Sequence, residues 1–259
     1  MKIRIFLPII SLLSLFILLN SCQKKLDVSN DEIAGTPLPT TGAYCRIESI
    51  WESPGSPLDE KFWLIAYDEF ENPTFMTAPT IGTDRPFKIF RYDNWHRLRE
   101  FLGDYGNGYY EYWHFYGFDG NGRIAVDTIY IFGRMGERPT NPEQSRITHY
   151  EYDNQGRIMR EHVTDALGTD VSYLYQYDLA GNLIRPGVTY DNKVSIYRTN
   201  DIWMFLMRDY SKNNAVTANE YNAAGYPTFV NNSSAPFGIM GAHLNFARVS
   251  YSCRPSNYY

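Results

Sequence analysis

His149-Tyr-Glu-Tyr-Asp-Asn-Gln-Gly-Arg-Ile158 and Leu174-Tyr-Gln-Tyr-Asp-Leu-Ala-Gly-Asn-Leu183 are two copies of one phrase. An aromatic strand end is followed by Asp, two free positions, Gly, a polar residue and an aliphatic one. Asp favours the first position of a type I turn, and a left-handed Gly three residues on closes the loop onto the next strand. The phrase specifies a β-hairpin corner, and its repetition specifies a sheet assembled from such corners.

Weaker copies lie on both sides. Tyr67-Asp-Glu-Phe-Glu-Asn72 lacks the Gly, and Tyr92-Asp-Asn-Trp-His-Arg97 puts His96 in its place. The latter is tolerable because His is among the non-Gly residues enriched at positive φ. Phe118-Asp-Gly-Asn-Gly-Arg123 restores the Gly, and Tyr221-Asn-Ala-Ala-Gly-Tyr226 ends the series. The aromatic residues at 67, 92, 118, 152, 177 and 221 step by about 25 residues where no longer segment intervenes, which is two strands and two turns of a β-meander. Alternation within 109–118 places Tyr110, Tyr112, His114, Tyr116 and Phe118 on one face and Tyr109, Glu111, Trp113 and Phe115 on the other. One face is expected to pack and the other to be partly covered. In the next strand Ile124, Val126, Thr128, Tyr130 and Phe132 are expected to share a face.

The rhythm breaks after Leu183. Ile202, Phe205, Leu206 and Asp209 fall at helical spacing behind a capping Thr199, Asn200 or Asp201, predicting one short helix near 200–210 laid across the sheet. A closing strand is expected over 244–253. The fold class is all-β: an antiparallel β-meander of hairpin repeats forming a curved sheet, with residues 43–259 as its single domain.

The chain begins Met1-Lys-Ile-Arg4 and continues through an apolar run to residue 19, which reads as a secretory signal peptide over 1–21. Leu19-Asn20-Ser21-Cys22 resembles the bacterial lipobox, which implies cleavage before Cys22 and acylation of its sulfur and new amino terminus. An ordinary signal peptide with a chance Cys is the alternative. Buried acyl chains hold a protein to a bilayer at about 0.8 kcal/mol per methylene. Gln23 stands where Asp would retain a lipoprotein at the inner membrane of enteric bacteria, which points to the outer membrane and leaves its face open. Residues 22–42, poor in apolar side chains, read as a tether with a reach of roughly 25 Å.

The net charge of −5 is mild and its acidic residues scattered, with no basic stripe for nucleic acid. Tyr supplies 22 residues, which cross-strand aromatic pairing accommodates. Lipidation of Cys22 leaves Cys45 and Cys253, near the two ends of the domain, as a candidate disulfide. Two separately buried thiols are the alternative, and neither has a second Cys or His at metal-ligand spacing.

The Tyr-Asp-x-x-Gly-(Arg/Asn)-aliphatic units resemble YD (Rhs-type) repeats. Together with Tyr190-Asp-Asn-Lys193, Ser211-Lys-Asn-Asn214 and Tyr221-Asn-x-x-Gly-Tyr-Pro-Thr228 they are similar to a family of uncharacterised lipoproteins of Bacteroidota-type bacteria. The resemblance covers roughly residues 60–230 and implies an all-β fold and an envelope address, but no activity. Rhs proteins proper are much longer shells around a toxin, a role this length does not suggest.

Catalytic signatures are missing: no Gly-x-Ser-x-Gly elbow, His-Glu-x-x-His or phosphate loop occurs. Asp119-Gly-Asn-Gly-Arg123 starts like a calcium loop but puts Arg at a ligand position, so it reads as a turn. The five His residues are dispersed; His114 or His162 could join a site only through tertiary contact. Asp127-Thr-Ile129 resembles an O-glycosylation tripeptide placed mid-strand. Trp95, Tyr109, Trp113 and Tyr173 are candidates for a ligand-stacking platform, with cross-strand ladders or core as the alternative. No cofactor and no metal is indicated. The expected function is a non-enzymatic, lipid-anchored envelope module presenting a surface to a glycan or protein partner. The alternatives are a glycan hydrolase with acids from separate strands and a purely structural scaffold.

Overall fold

The computed structural model describes residues 43–53, 61–83, 85–136, 139, 145–215, 218, 220–231 and 238–255. The expected leader, Cys22 and tether lie outside the described residues. In chain order the strands are β1 (Ala43–Glu52), β2 (Lys61–Tyr67), β3 (Pro73–Thr77), β4 (Phe87–Tyr92), β5 (Leu98–Asp104), β6 (Tyr109–Phe118), β7 (Ile124–Arg134), β8 (Ser145–Tyr152), β9 (Ile158–Asp165) and β10 (Asp170–Leu174). A 3-10 turn (Ile196–Thr199) and helix α1 (Asp201–Met207) follow. The last strands are β11 (Glu220–Tyr221), β12 (Pro227–Asn231), β13 (Gly238–Ile239), β14 (Ala242–His243) and β15 (Phe246–Pro255).

Thirteen strands form one sheet in the order β10-β9-β8-β7-β6-β5-β4-β3-β2-β1-β15-β12-β11, every pair antiparallel. The first ten strands are a meander, and β15 returns beside β1. Strand direction places all the Tyr-Asp corners at one end of the sheet, here called the corner end. Ala43 and Pro255, paired in register, lie there too, as does the disulfide joining Cys45 to Cys253.

Each residue of the repeat performs a definable task. In the corners after β4, β6 and β8, one oxygen of Asp93, Asp119 and Asp153 accepts two backbone N–H groups at 2.9–3.0 Å. The other accepts the Nε–H of Arg97, Arg123 or Arg157 at 2.7–2.8 Å. Those guanidinium groups then lie over the aromatic ring of the next corner, Phe118, Tyr152 and Tyr177, at 3.9, 4.6 and 3.9 Å. The Tyr hydroxyls reach backwards: Tyr92 donates to the carbonyl of Pro73 at 2.7 Å and Tyr152 to that of Ile124 at 2.6 Å. Successive corners are thereby tied together by an Arg forwards and a Tyr backwards. Gly122, Gly156, Gly181 and Gly225 take positive φ where the loop requires it, as do Glu71 and His96 in the copies without Gly.

A register shift accompanies each of these strand-linking corners. One bulged residue turns the aliphatic residue after the corner to the same face as the aromatic before it. This corrects the expected face of β7: Ile124 belongs to the main core, while Tyr130 packs in a cluster on the opposite face. β6 is corrected as well: both of its faces are covered, and a register shift between Gly103 and Asp104 parts Tyr110 from the expected face of Tyr112 and Tyr116. Tyr116 lies in the main core, and Tyr110, Trp113 and Phe115 join Leu102 in the second cluster.

Helix α1 is confirmed but shorter than the expected span, and a helix of 7 residues is not stable alone. Asn200 caps it by accepting the Ile202 N–H at 2.9 Å. Packing does the rest. Buried Trp203 meets Phe90 edge-on, and Phe205 meets Tyr116 and Tyr150 likewise. The chain leading to and from the helix is pinned by buried amides. Asn214 accepts the Ile196 N–H at 2.9 Å and donates to the Val194 carbonyl at 2.8 Å, and Asn213 donates to the Lys193 carbonyl and accepts from Asn182. Ser211 accepts the Leu183 N–H at 2.9 Å. These bonds satisfy backbone groups that irregular chain under a sheet would otherwise leave unpaired.

Candidate functional site

The inner face of β6–β9 carries a polar relay beneath the end of α1. His114 Nδ1 lies 2.9 Å from the Asp127 carboxylate, which accepts the Tyr150 hydroxyl at 3.3 Å. Arg208 donates to the Tyr150 oxygen and to Glu161, and the other Glu161 oxygen accepts the Tyr175 hydroxyl at 3.0 Å. Arg208 follows the helix with φ 55, the left-handed position usually given to Gly. The Arg208 cation pairs with Glu161 on β9 and, through the Tyr150 hydroxyl of β8, is linked to Asp127 on β7. Asp127 is 3% exposed. The Tyr116 hydroxyl is buried without a hydrogen bond, and burial together with the Asp127 charge holds it well above the ordinary phenol range. The relay is thus closed among its own members, an arrangement that fixes the helix to the sheet.

A second buried charge lies on the same face towards the other end of the strands. Lys88 Nζ sits 4.2 Å from the centre of the Trp63 ring and has no hydrogen-bond partner. The Trp63 indole N–H donates to Glu52 at 2.7 Å. Burial pushes the Lys88 ammonium down to about 8, Arg85 adding to the effect and Glu111 and Glu52 opposing it. Among the described residues no group of three or more His, Cys, Asp or Glu could hold a metal ion, and no helix is long and apolar enough to cross a membrane.

The aromatic residues singled out from sequence are not brought together. Trp95 projects from a corner, and Tyr109 starts β6 at the opposite end of the sheet. Trp113 is 6% exposed, donates to Glu100 at 3.1 Å and stacks on Phe115. It belongs to the second cluster, which corrects its reading as a platform residue. Tyr173 lies on β10. Thr128, from the glycosylation-like tripeptide, sits mid-sheet opposite Phe115 and Ile147, and Asp127 is committed to the relay.

Tyr173 marks the feature that sequence reading missed. Every residue of β10 is exposed, and among the described residues β9 is its only strand neighbour. Tyr175 N–H donates to Met159 at 2.9 Å, so in the antiparallel register the odd-numbered residues bond β9 while Ser172 and Leu174 turn their N–H and C=O outward. Leu183 and Ile184 begin to pair beside this edge, and the chain then leaves it at Arg185-Pro186-Gly187-Val188. Pro186 at the second position, Gly187 with φ 73 at the third, and the Val188 N–H donating to the Arg185 carbonyl describe a type II turn. The Pro-Gly pair was the available signal for an edge at this point. Leu167, Val171, Tyr173, Leu174, Leu179 and Ile184 are all exposed around it. The edge carries no Lys, Pro or bulge of the kind that ordinarily blocks strand pairing.

No family model matches the chain, and no curated protein matches it. Solved structures that match part of it include the crystal structure of TcdB2-TccC3-Cdc42, with 10% identity over 46% of this chain and 7% of that one at a TM-score of 0.29. Another is that of TcdB2-TccC3-TEV, with 11% identity over 45% and 6% of the two chains at a TM-score of 0.27. The likeness is distant and partial, and this chain spans only that small fraction of the chains it resembles.

Proposed function

We propose that the protein is a lipid-anchored, non-enzymatic interaction module of a bacterial outer envelope, and that it receives an extended segment of a protein partner along β10. The observation that supports this most is the open edge, whose outward N–H and C=O groups at Ser172 and Leu174 are a template for strand addition. The exposed side chains of Val171, Tyr173 and Leu174 supply the apolar contact that such pairing needs for affinity. The Tyr, Asp, Gly and Arg of the repeats are engaged in corner contacts, and the relay is internally satisfied, so neither competes with the edge as the working surface.

The test is a photoreactive residue at position 173 in living cells, read by mass spectrometry of the adduct in the chain itself and in two variants. Leu174→Pro removes one outward N–H while an edge strand tolerates Pro; Leu174→Ala keeps that N–H. Strand addition predicts an adduct that Leu174→Pro abolishes and Leu174→Ala retains. An adduct that survives Leu174→Pro, or no adduct at all, defeats the reading.

A further inference from the structure

We propose that the corner end of the sheet docks on a lipid bilayer, with Phe70, Trp95 and Leu179 entering the headgroup region. The inference rests on the Cys22 anchor proposed above. Corner chemistry demands Asp and a left-handed residue, and leaves the two positions between them free. In a turn facing water, free positions usually go to polar and charged side chains. Here Glu69 alone is charged among the tip positions of the corners at 67, 92, 118, 152, 177 and 221. Trp95 is 75% exposed, Phe70 is 54% exposed, and Leu179 is fully exposed. The ring centres of Phe70 and His96 lie 3.7 Å apart, so the first two corners touch, and the Arg97 guanidinium lies 5.0 Å from the centre of the Trp95 ring.

The position of the chain's entry selects a bilayer as the occupant. Ala43, the first described residue, starts β1 at the corner end. Residues 22–42 precede it, with an expected reach of roughly 25 Å from an acylated Cys22. Tethering at that range gives an effective concentration in the millimolar range, so shallow insertion of a few side chains is enough to populate a docked state. Trp is the residue best suited to the headgroup layer, where an apolar ring and a polar N–H are both accommodated. β10 runs along the strand axis from that end, so docking leaves its outer edge open to a partner.

The experiment uses the full lipidated chain in vesicles of phosphatidylethanolamine and phosphatidylglycerol, with and without brominated acyl chains. Of the 5 Trp residues, Trp63, Trp113 and Trp203 are buried and Trp51 sits at the opposite end of the sheet. Docking therefore predicts that brominated lipid quenches a component of the emission that Trp95→Phe removes, and that Phe70→Ser with Leu179→Ser reduces that quenching. A chain that stays on vesicles while Trp95 remains unquenched and open to aqueous acrylamide overturns the docking and leaves the anchor standing. A chain washed from vesicles as readily as Cys22→Ala overturns the anchor and the docking with it. Emission changes caused by envelope glycan fragments, with none from brominated lipid, would make the tips a sugar platform and also overturn the proposal.

Discussion

At the scale of single residues, the repeat can be read atom by atom. Gly156 has φ 76 and no atom within 4 Å of the Cβ it lacks, whereas Gly120 has equal space without positive φ. Gly156→Ala should therefore cost about 1–2 kcal/mol in urea unfolding, the strain of a left-handed L-residue, and Gly120→Ala should be close to neutral. Equal effects would remove the backbone explanation of the repeat. Lys88 makes the opposite kind of contribution. Its ammonium titrates near 8 in the folded chain, below its ordinary value of 10.5, so the unfolded state binds more protons between those values and stability rises with pH across that window. The burial cost is fully present below 8 and amounts to up to about 3 kcal/mol. Lys88→Met should raise stability at neutral pH and flatten the rise between pH 8 and 10.5, measured by unfolding at fixed pH values.

Among the elements, the meander strands were legible because Asp, Gly and the aromatic residue have fixed places in a corner, and helix α1 because Ile202 and Phe205 keep helical spacing. The faces were less legible. A bulge at each strand-linking corner inverts the alternation, which is why Ile124 and Tyr130, in phase by sequence, occupy two faces. His114, Asp127, Tyr150 and Glu161 come from four successive strands and Arg208 from the end of α1, and only the pairing register and the docked helix bring them together; sequence spacing holds no trace of it. Arg208 is the member on which the relay depends. Arg208→Met leaves Glu161 without its cation and the Tyr150 oxygen without its donor, and loss of one partner from a buried ionic group costs about 3–5 kcal/mol. Calorimetry should show that loss together with loosening of α1. A variant as stable as the parent would mean that water already compensates the Glu161 carboxylate.

For the whole molecule, the termini of the described chain meet across β1 and β15, and the Cys45–Cys253 bond spans a separation of 208 residues. Closing a loop of this size in the unfolded chain is worth about 2–5 kcal/mol, so reductant should lower the urea midpoint, with Cys253 giving access because it is the exposed partner. An unchanged midpoint would assign the terminal pairing to strand contacts alone. The edge at β10 was the least legible feature, because an edge is defined by the strand that does not follow. Pro186 and Gly187 encode that departure, yet without the register they read as one more turn. The molecule is a sheet held by its corners, with the outer edge of its last meander strand open among the described residues, and partner binding at that edge is the proposal. Its most direct test is amide hydrogen exchange at Ser172, Tyr173 and Leu174, in the purified chain and in chain recovered with its envelope partners. Strand addition at β10 predicts that Tyr173 is protected in both, while Ser172 and Leu174 exchange fast alone and slow when partnered. Identical exchange at Ser172 and Leu174 in the two preparations would contradict it.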